Sequence, residues 1–393
     1  MTAVQSLRGN WNYPTAIRFG AGRIAELPDA CREAGMSRPL FVTDKALSKL
    51  PVAAETLALL AAAGLPASLF SDVRPNPTAA DVEAGVAAFR AGGHDGVIAF
   101  GGGSGLDAAK AIAMMVGQDR PIWEFEDRDD WWTRVKVEGM APVVAVPTTS
   151  GTGSEVGRAS VITDENDHTK KIIFHPRMMP KIVIADPALT LDLPAKITAA
   201  VGMDALSHNL EAYCSPFYHP IAQGVALEAI SLVKQWLPVA VRDGRNLEAR
   251  AHMMVASSMG ATAFQKGLGA MHSLSHPCGA VLNSHHGLTI AIVMPYVLAF
   301  NRPAIDAQMT ALARYLALPS PSFRAALDWV LALREEIGIP HRLDAVGVSR
   351  AIVPRLAKMA ANDPSCGGNP RELNAQVLAQ LYEDALDGVI RAG

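Results

Sequence analysis

Cysteine is scarce in this chain of 393 residues. There are four, Cys31, Cys214, Cys278 and Cys366, far apart and with no CxxC pair. That pattern argues against a disulfide framework and a thiolate-rich structural zinc site, and it fits a reducing, cytoplasmic setting. Excess charge is lacking too. A formal net charge of −3 supplies neither the basic surface that nucleic acid needs nor a polybasic membrane patch. The opening residues MTAVQSLRGNWNYP hold no apolar core of a secretory signal, and no uninterrupted apolar run reaches the ~18 residues of a bilayer span. Internal repeats, low-complexity segments and heptad arrays are likewise missing.

Half of the residues are hydrophobic, ample for buried cores, and the length exceeds that at which single cores stop growing, so two domains are expected. In the N-terminal half, short apolar runs alternate with helical patterns. Strands are expected at Tyr13–Phe19, Arg38–Thr43, Leu65–Phe70, Gly96–Phe100 and Pro142–Val146, and helices at Arg23–Ala34, Ala46–Ala63, Ala79–Ala91 and from about Ser104 to Val116. This is the pattern of a parallel α/β sheet. After Pro194 strand-like runs become rare and long helical patterns take over: Ile197–Tyr213, His219–Val241, Asn246–Phe264, Thr289–Phe300 and several more. The expected architecture is an α/β domain over 1–193 and an all-helical domain over 194–393.

Two polar loops follow strands in the first half. Gly101, Gly102, Gly103, Ser104 and Gly105 join a strand to a helix, where backbone N–H groups can approach a pyrophosphate without Cβ interference. The spacing is neither GxGxxG nor a P-loop, since Lys110 does not occupy the GK[ST] position. Asp44, at an earlier strand end, offers the acidic group for a ribose 2′-OH, which favours NAD over NADP. The second loop runs from Thr148 to Ser154.

Histidine carries the strongest chemical signal. Seven of the eleven lie between His208 and His286, and four of these, His272, His276, His285 and His286, fall within GLGAMHSLSHPCGAVLNSHHG. Asp204 and His208 are spaced i, i+4, as are His272 and His276, so each pair shares a helix face. His286 is expected in a loop before Gly287. A carboxylate with imidazoles and no thiolate suits Fe(II), Zn(II) or a similar divalent ion with open positions for substrate. His94, His168 and His175 read as surface residues. Phe264 is a candidate either for an apolar wall of the substrate pocket or for ordinary core packing, and Arg158 for the partner of an anionic substrate group or, more readily, of a surface carboxylate.

The segments YPTAIRFGAG, LFVTD, GGGSGLDAAKAIA, VPTTSGTGSEV, GMDALSHNLEAY, HSLSHPCGAVLNSHHG and GGNPRE together resemble the iron-containing (group III) alcohol dehydrogenases, nearly end to end. The resemblance implies a dehydroquinate synthase-like two-domain fold, an N-terminal dinucleotide-binding domain and an all-helical C-terminal domain with the active site between them. It implies metal ligands at Asp204, His208, His272 and His286, with His276 beside the nicotinamide as a proton-relaying group. Cofactor contacts are implied at Asp44, Asn76, Gly102, Gly103, Ser104, Asp107, Thr148, Thr149, Ser154 and Lys171. The activity implied is reversible hydride transfer between a small alcohol and NAD, by a homodimer paired through the Tyr13–Phe19 strand. Alternatives on the same fold are a zinc-dependent polyol or glycerol dehydrogenase-like enzyme, a specialised aldehyde reductase and a hydroxyacid–oxoacid transhydrogenase.

The sequence departs from that family in FQKGLGAMH, one residue shorter than the common pattern before His272. It also carries Gly157, Arg158 and Ala159 after SEV, and Cys366 one position later than in lactaldehyde-reducing members. The metal set is untouched by these changes; they bear on the substrate pocket, so the substrate of a particular family member does not carry over to this chain.

Overall fold

A computed structural model describes residues 9–11, 14–167 and 169–391; His168 and Tyr13 lie outside them. The chain divides into two compact units. One comprises the residues up to Thr149 and 153–192, the other residues 150–152 and those from Leu193 onward.

The first unit is built from strands β1 (Gly9–Trp11), β2 (Ala16–Phe19), β3 (Pro39–Val42), β4 (Ser68–Phe70), β5 (Gly96–Gly101), β6 (Val143–Pro147), β7 (Ala159–Asp164), β8 (Thr169–Phe174) and β9 (Ile182–Ala185). Its helices are α1 (Leu27–Glu33), α2 (Pro51–Ala62), α3 (Ala79–Ala91) and α4 (Gly103–Met115). Seven strands form one sheet in the order β1-β2-β9-β6-β5-β3-β4, parallel throughout except for β1 against β2. Strands β3, β5, β6 and β9 are buried at every position. That is why they read as continuous apolar runs rather than alternating ones. From β3 the chain moves outward to β4 and then returns to the other side of β3 as β5. The strand order therefore reverses between β3 and β5, and a ligand crevice is expected beyond the carboxyl ends of those two strands.

Several expectations change here. The Ala46–Ala63 helix is split: a 3-10 turn at Leu47–Lys49 precedes α2, with Leu50 extended at ψ 150° before Pro51, because the proline ring disfavours helical geometry in the residue before it. The pair β7–β8 forms a separate antiparallel sheet and β9 fills the main one; neither was anticipated. Strand β2 is hydrogen-bonded on both sides, to β1 and β9, so it offers no free edge for a dimer. His94 and His175 are buried rather than on the surface. The His94 ring is 2.9 Å from the Arg38 carbonyl, and His175 accepts the Arg177 N–H at 3.0 Å.

The second unit is helical: α5 (Ala195–Cys214), α6 (Pro220–Arg242), α7 (Leu247–Ala263), α8 (Ala270–Leu282), α9 (His286–Tyr315), α10 (Phe323–Glu336), α11 (Val353–Ala361) and α12 (Ala375–Asp387). Helix α5 packs against α6, α7 and α9 and is buried at every position from Gly202 to Cys214. It is thus a core helix with little amphipathic contrast. Helix α9 runs 30 residues through Pro295 and Pro303, far beyond the expected Thr289–Phe300. Each proline removes a helical N–H, and burial of most of the helix against its neighbours outweighs that loss. Helices α6 and α9 are long and apolar enough to cross a membrane by length and composition, and 72% of the apolar stretch of α9 is buried inside the helical unit.

Candidate active site

In the first unit the two expected polar loops sit beside each other at strand carboxyl ends. A Cβ on Gly102 would lie 3.1 Å from the Thr149 side chain, and the Thr148 N–H donates to the Gly101 carbonyl at 2.9 Å. Gly101 adopts φ 145°, a conformation side-chain-bearing residues rarely take. Gly105 fits against the Phe100 carbonyl and the Asp44 backbone, which brings the glycine turn beside the end of β3. The Asp44 carboxylate Oδ1 accepts the N–H groups of Ala46 and Leu47, both at 2.9 Å. Ser104 Oγ donates to the Pro75 carbonyl, tying the start of α4 to the loop that carries Asn76. Gly103 begins α4.

Asp107 and Ser154 are hydrogen-bonded to each other, and Asp107 also accepts the Val161 N–H at 3.0 Å. Lys110, which the sequence shows only not to be a P-loop lysine, organises this corner. Its side chain is 1% exposed, its Nζ donates to the Ser154 carbonyl at 3.0 Å and to the Ala159 carbonyl, and it pairs with Asp107 at 3.3 Å. Burial lowers its pKa and Asp107 opposes that. Lys110 and Asp107 thus fasten the loop after β6 to α4. Lys171, on β8, directs its ammonium to Asp164 at 2.5 Å and Asp167 at 3.5 Å, 4.9 Å from the Trp123 ring centroid. Arg158 is exposed and lies over Phe174.

In the second unit α5 supplies Asp204 and His208, α8 supplies His272 and His276, and α9 supplies His286. Asp204 and His272 are 2% exposed and His208 5%. The Nε2 atoms of His208, His272 and His286 lie 4.0, 4.0 and 3.7 Å from Asp204 Oδ1. Asp204, His208 and His272 each bring a ligand atom within 4.8 Å of the others. Ligands about 2.1 Å from a tetrahedral ion stand roughly 3.4 Å apart, so a small inward adjustment closes this set on a divalent cation. His272 Nε2 supplies the test of fit: it is buried with no hydrogen-bond partner among the described residues. A buried orphan nitrogen is costly, and an ion accounts for it.

Local geometry explains the convergence. His286 is the first residue of α9 and not a loop residue as expected, because His285 caps the helix by accepting the Leu288 N–H at 3.4 Å. Gly287 allows the close approach: a Cβ there would run into the Ala200 carbonyl and lie 3.2 Å from Asp204 Cβ. Ser275 Oγ donates to the His286 carbonyl at 3.1 Å and stands 2.9 Å from His286 Nδ1. With its proton directed to the carbonyl, Ser275 accepts from Nδ1–H and leaves Nε2 for the ion.

His276 stacks on His286 with ring centroids 5.3 Å apart, and differs from the other three imidazoles in its hydrogen-bond partner. Its Nδ1 is 2.7 Å from Asp363 Oδ2, and Asp363 Oδ1 accepts the Ser365 N–H at 2.9 Å. Burial raises the Asp363 pKa, but His276 and the Ser365 N–H outweigh it and hold the carboxyl at about 2. Burial drives the His208 pKa well down, with His272 adding to the effect. Burial also opposes charge on His272, but Glu211 and Asp204 prevail and raise its pKa. Phe264 packs 5.1 Å from the His208 ring. Glu211, Ser275 and Asp363 were missed in the sequence because each acts through a neighbour; only the i, i+4, i+7 spacing of Asp204, His208 and Glu211 hinted at one of them. Cys366 rests its thiol on the Ala360 carbonyl at 3.1 Å and on Ser273.

A family model described as iron-containing alcohol dehydrogenase matches residues 14–187, and one described as Fe-containing alcohol dehydrogenase family, C-terminal, matches residues 198–386. The chain is 38% identical over 384 residues to a 4-hydroxybutyrate dehydrogenase of Cupriavidus necator, covering 95% of this chain and 99% of that protein. It is 33% identical over 384 residues to an NAD-dependent methanol dehydrogenase of Bacillus methanolicus, covering 96% and 100%. The solved structure of a 1,3-propanediol oxidoreductase matches with a TM-score of 0.89 at 33% identity over 94% of this chain and 97% of that one. The chain belongs to the iron-containing alcohol dehydrogenase family and is an oxidoreductase of that type.

Proposed function

We propose that the chain transfers a hydride reversibly between a small alcohol and NAD, with Asp204, His208, His272 and His286 holding a divalent ion, Fe(II) or Zn(II). The observation that carries this reading is the convergence of three Nε2 atoms on Asp204 Oδ1 with the His272 nitrogen left without a hydrogen-bond partner among the described residues. The ion, when bound, supplies Lewis acidity to the substrate oxygen. The dinucleotide is held by Gly102, Gly103, Ser104, Thr148 and Thr149 around the pyrophosphate, with Asn76 beside them. Asp107 and Ser154 keep the second loop in place, and Lys171 contributes from the β7–β8 hairpin. Asp44, at the reversal of strand order, prefers a 2′-hydroxyl to a 2′-phosphate.

His276 is the proton-relaying group. Asp363 fixes its Nδ1–H, so Nε2 is the nitrogen that takes or returns the hydroxyl proton. Phe264, against His208, is an apolar wall for the carbon skeleton of the substrate. The relatives named above are described as dehydrogenases of 4-hydroxybutyrate and of methanol, each of which carries a primary hydroxyl, and this supports a small primary alcohol as substrate. The reading extends to a cytoplasmic homodimer: the cysteines are free, and β1 is one of the two edge strands of the sheet, β4 the other.

The test is NAD reduction by a panel of primary alcohols, 4-hydroxybutyrate and 1,3-propanediol included, with the protein prepared without oxygen. The assay is run after chelation and after return of Fe(II) or Zn(II). Activity is expected to vanish on chelation and to return with the ion. Full activity in chelated protein, or in His272→Ala, would overturn the metal reading.

A further inference from the structure

Helix α5 carries another acidic residue on the face that holds Asp204 and His208. Glu211 is buried, and both of its oxygens are used within one turn of α8. Oε1 accepts the Met271 N–H at 2.7 Å, and Oε2 is 2.6 Å from His272 Nδ1. A carboxylate only accepts hydrogen bonds, so the proton of this contact resides on Nδ1. The neutral His272 ring then keeps its lone pair on Nε2, the nitrogen that faces Asp204 Oδ1 without a partner among the described residues.

We propose that Glu211 is a positioning residue for the metal: it holds His272 in the Nδ1–H tautomer and fixes the turn of α8 that carries it, so that Nε2 is presented to the ion. The proposal rests on the metal reading above. The group in the same place for a purely structural role is Asn369, whose Oδ1 accepts the adjacent Ala270 N–H at 3.2 Å and bonds to Asn301, with no contact to an imidazole in the described network.

Glu211→Gln separates the two roles because it is nearly isosteric. If the glutamine oxygen serves the Met271 N–H, its NH2 faces Nδ1. The ring must then accept there and protonate Nε2. If the oxygen serves Nδ1, the NH2 meets the Met271 N–H, donor against donor. No arrangement satisfies both contacts.

The experiment measures Zn(II) and Fe(II) affinity of the full chain by competition with a chromophoric chelator, together with ¹⁵N-histidine NMR of the metal-free protein. The His272 signal is identified by its loss in His272→Ala. Wild type is expected to show His272 protonated at Nδ1. Glu211→Gln is expected to lose that signature and to bind the ions about 10–100-fold more weakly. Asn369→Ala is expected to lower thermal stability with the tautomer signal retained and ion affinity little changed. Unchanged affinity and tautomer in Glu211→Gln would overturn the proposal, as would an equal loss of affinity in Asn369→Ala. Should Glu211→Gln fail to fold, the wild-type spectrum of the neutral ring, taken above the pH at which His272 titrates, decides, since a neutral His272 with its proton on Nε2 overturns the proposal outright. A wild type that binds neither ion refutes the metal reading itself, a result distinct from any of these.

Discussion

Asp363→Asn is the most demanding test of the arrangement around His276. The substitution keeps the shape of the side chain and removes its charge. In the folded protein the carboxyl titrates at about 2 against an ordinary 3.8. Burial pushes it up, and the His276 imidazole and Ser365 N–H pull it further down. At 1.36 kcal/mol per pH unit this difference stabilises the fold by about 2 kcal/mol. Because the folded value is the depressed one, the contribution is fully present above about pH 4. It fades as pH falls and is gone below the folded pKa near 2. Asparagine also puts an amide NH2 against either the Ser365 N–H or His276 Nδ1. Unfolding of the full chain at pH 7, 4 and 3, wild type against variant, measures the effect. The expected difference is about 2 kcal/mol at pH 7, roughly 5–10 °C in the transition of the helical unit, narrowing to about half by pH 3. Alcohol oxidation is expected to fall roughly 10²-fold in kcat with bound metal unchanged. A stability gap of the same size at pH 3 as at pH 7 would refute the electrostatic account, and an unaltered kcat would refute the role of Asp363 in holding His276.

Gly287→Ala forces a Cβ against the Ala200 carbonyl, so α9 must shift away from α5 and carry His286 with it. Metal affinity, measured by chelator competition, is expected to drop, with about 1–3 kcal/mol of stability lost; unchanged affinity would remove His286 from the ligand set. Gly102→Ala places a methyl 3.1 Å from Thr149 and narrows the turn, so KM for NAD is expected to rise about tenfold with kcat little affected. A KM equal to wild type would mean that this turn does not cradle the cofactor. Asp44→Ala removes the carboxylate at the reversal of strand order, and kcat/KM for NADP relative to NAD is expected to rise about tenfold, about 1.4 kcal/mol of discrimination; a constant ratio would place the ribose elsewhere.

Much of the architecture was legible in local patterning. The buried parallel strands PLFV, GVIAFG and VVAVP announce themselves as apolar runs between helical stretches, and α3 occupies Ala79–Ala91 as read from its pattern. Strand β9, only four residues long and adjoining Asp186, lacks a helical stretch before it and is recruited by its neighbours β2 and β6. The hairpin β7–β8 is half-buried and polar enough to pass for loop. The length of α9 was illegible for a different reason: Pro295 and Pro303 argue locally for a stop, and only burial among other helices overrides them.

The sequence by itself determined the chemistry on offer. Residue types and i, i+4 spacing are properties of the chain, so an acid and imidazoles without thiolates already specified a divalent-metal ligand set, and a glycine turn between strand and helix specified an anion cradle. What only the tertiary structure decided is how four similar histidines divide their work. His272 and His276 share one helix face, and nothing in their spacing separates them. One meets Glu211 and Asp204 and the other meets Asp363 because α5 reaches α8 at His272 while Asp363, just after α11, reaches it one turn further on at His276. A ring nitrogen's role is set by what its other nitrogen touches, and that partner lies 61 residues away in the chain for His272 and 87 for His276.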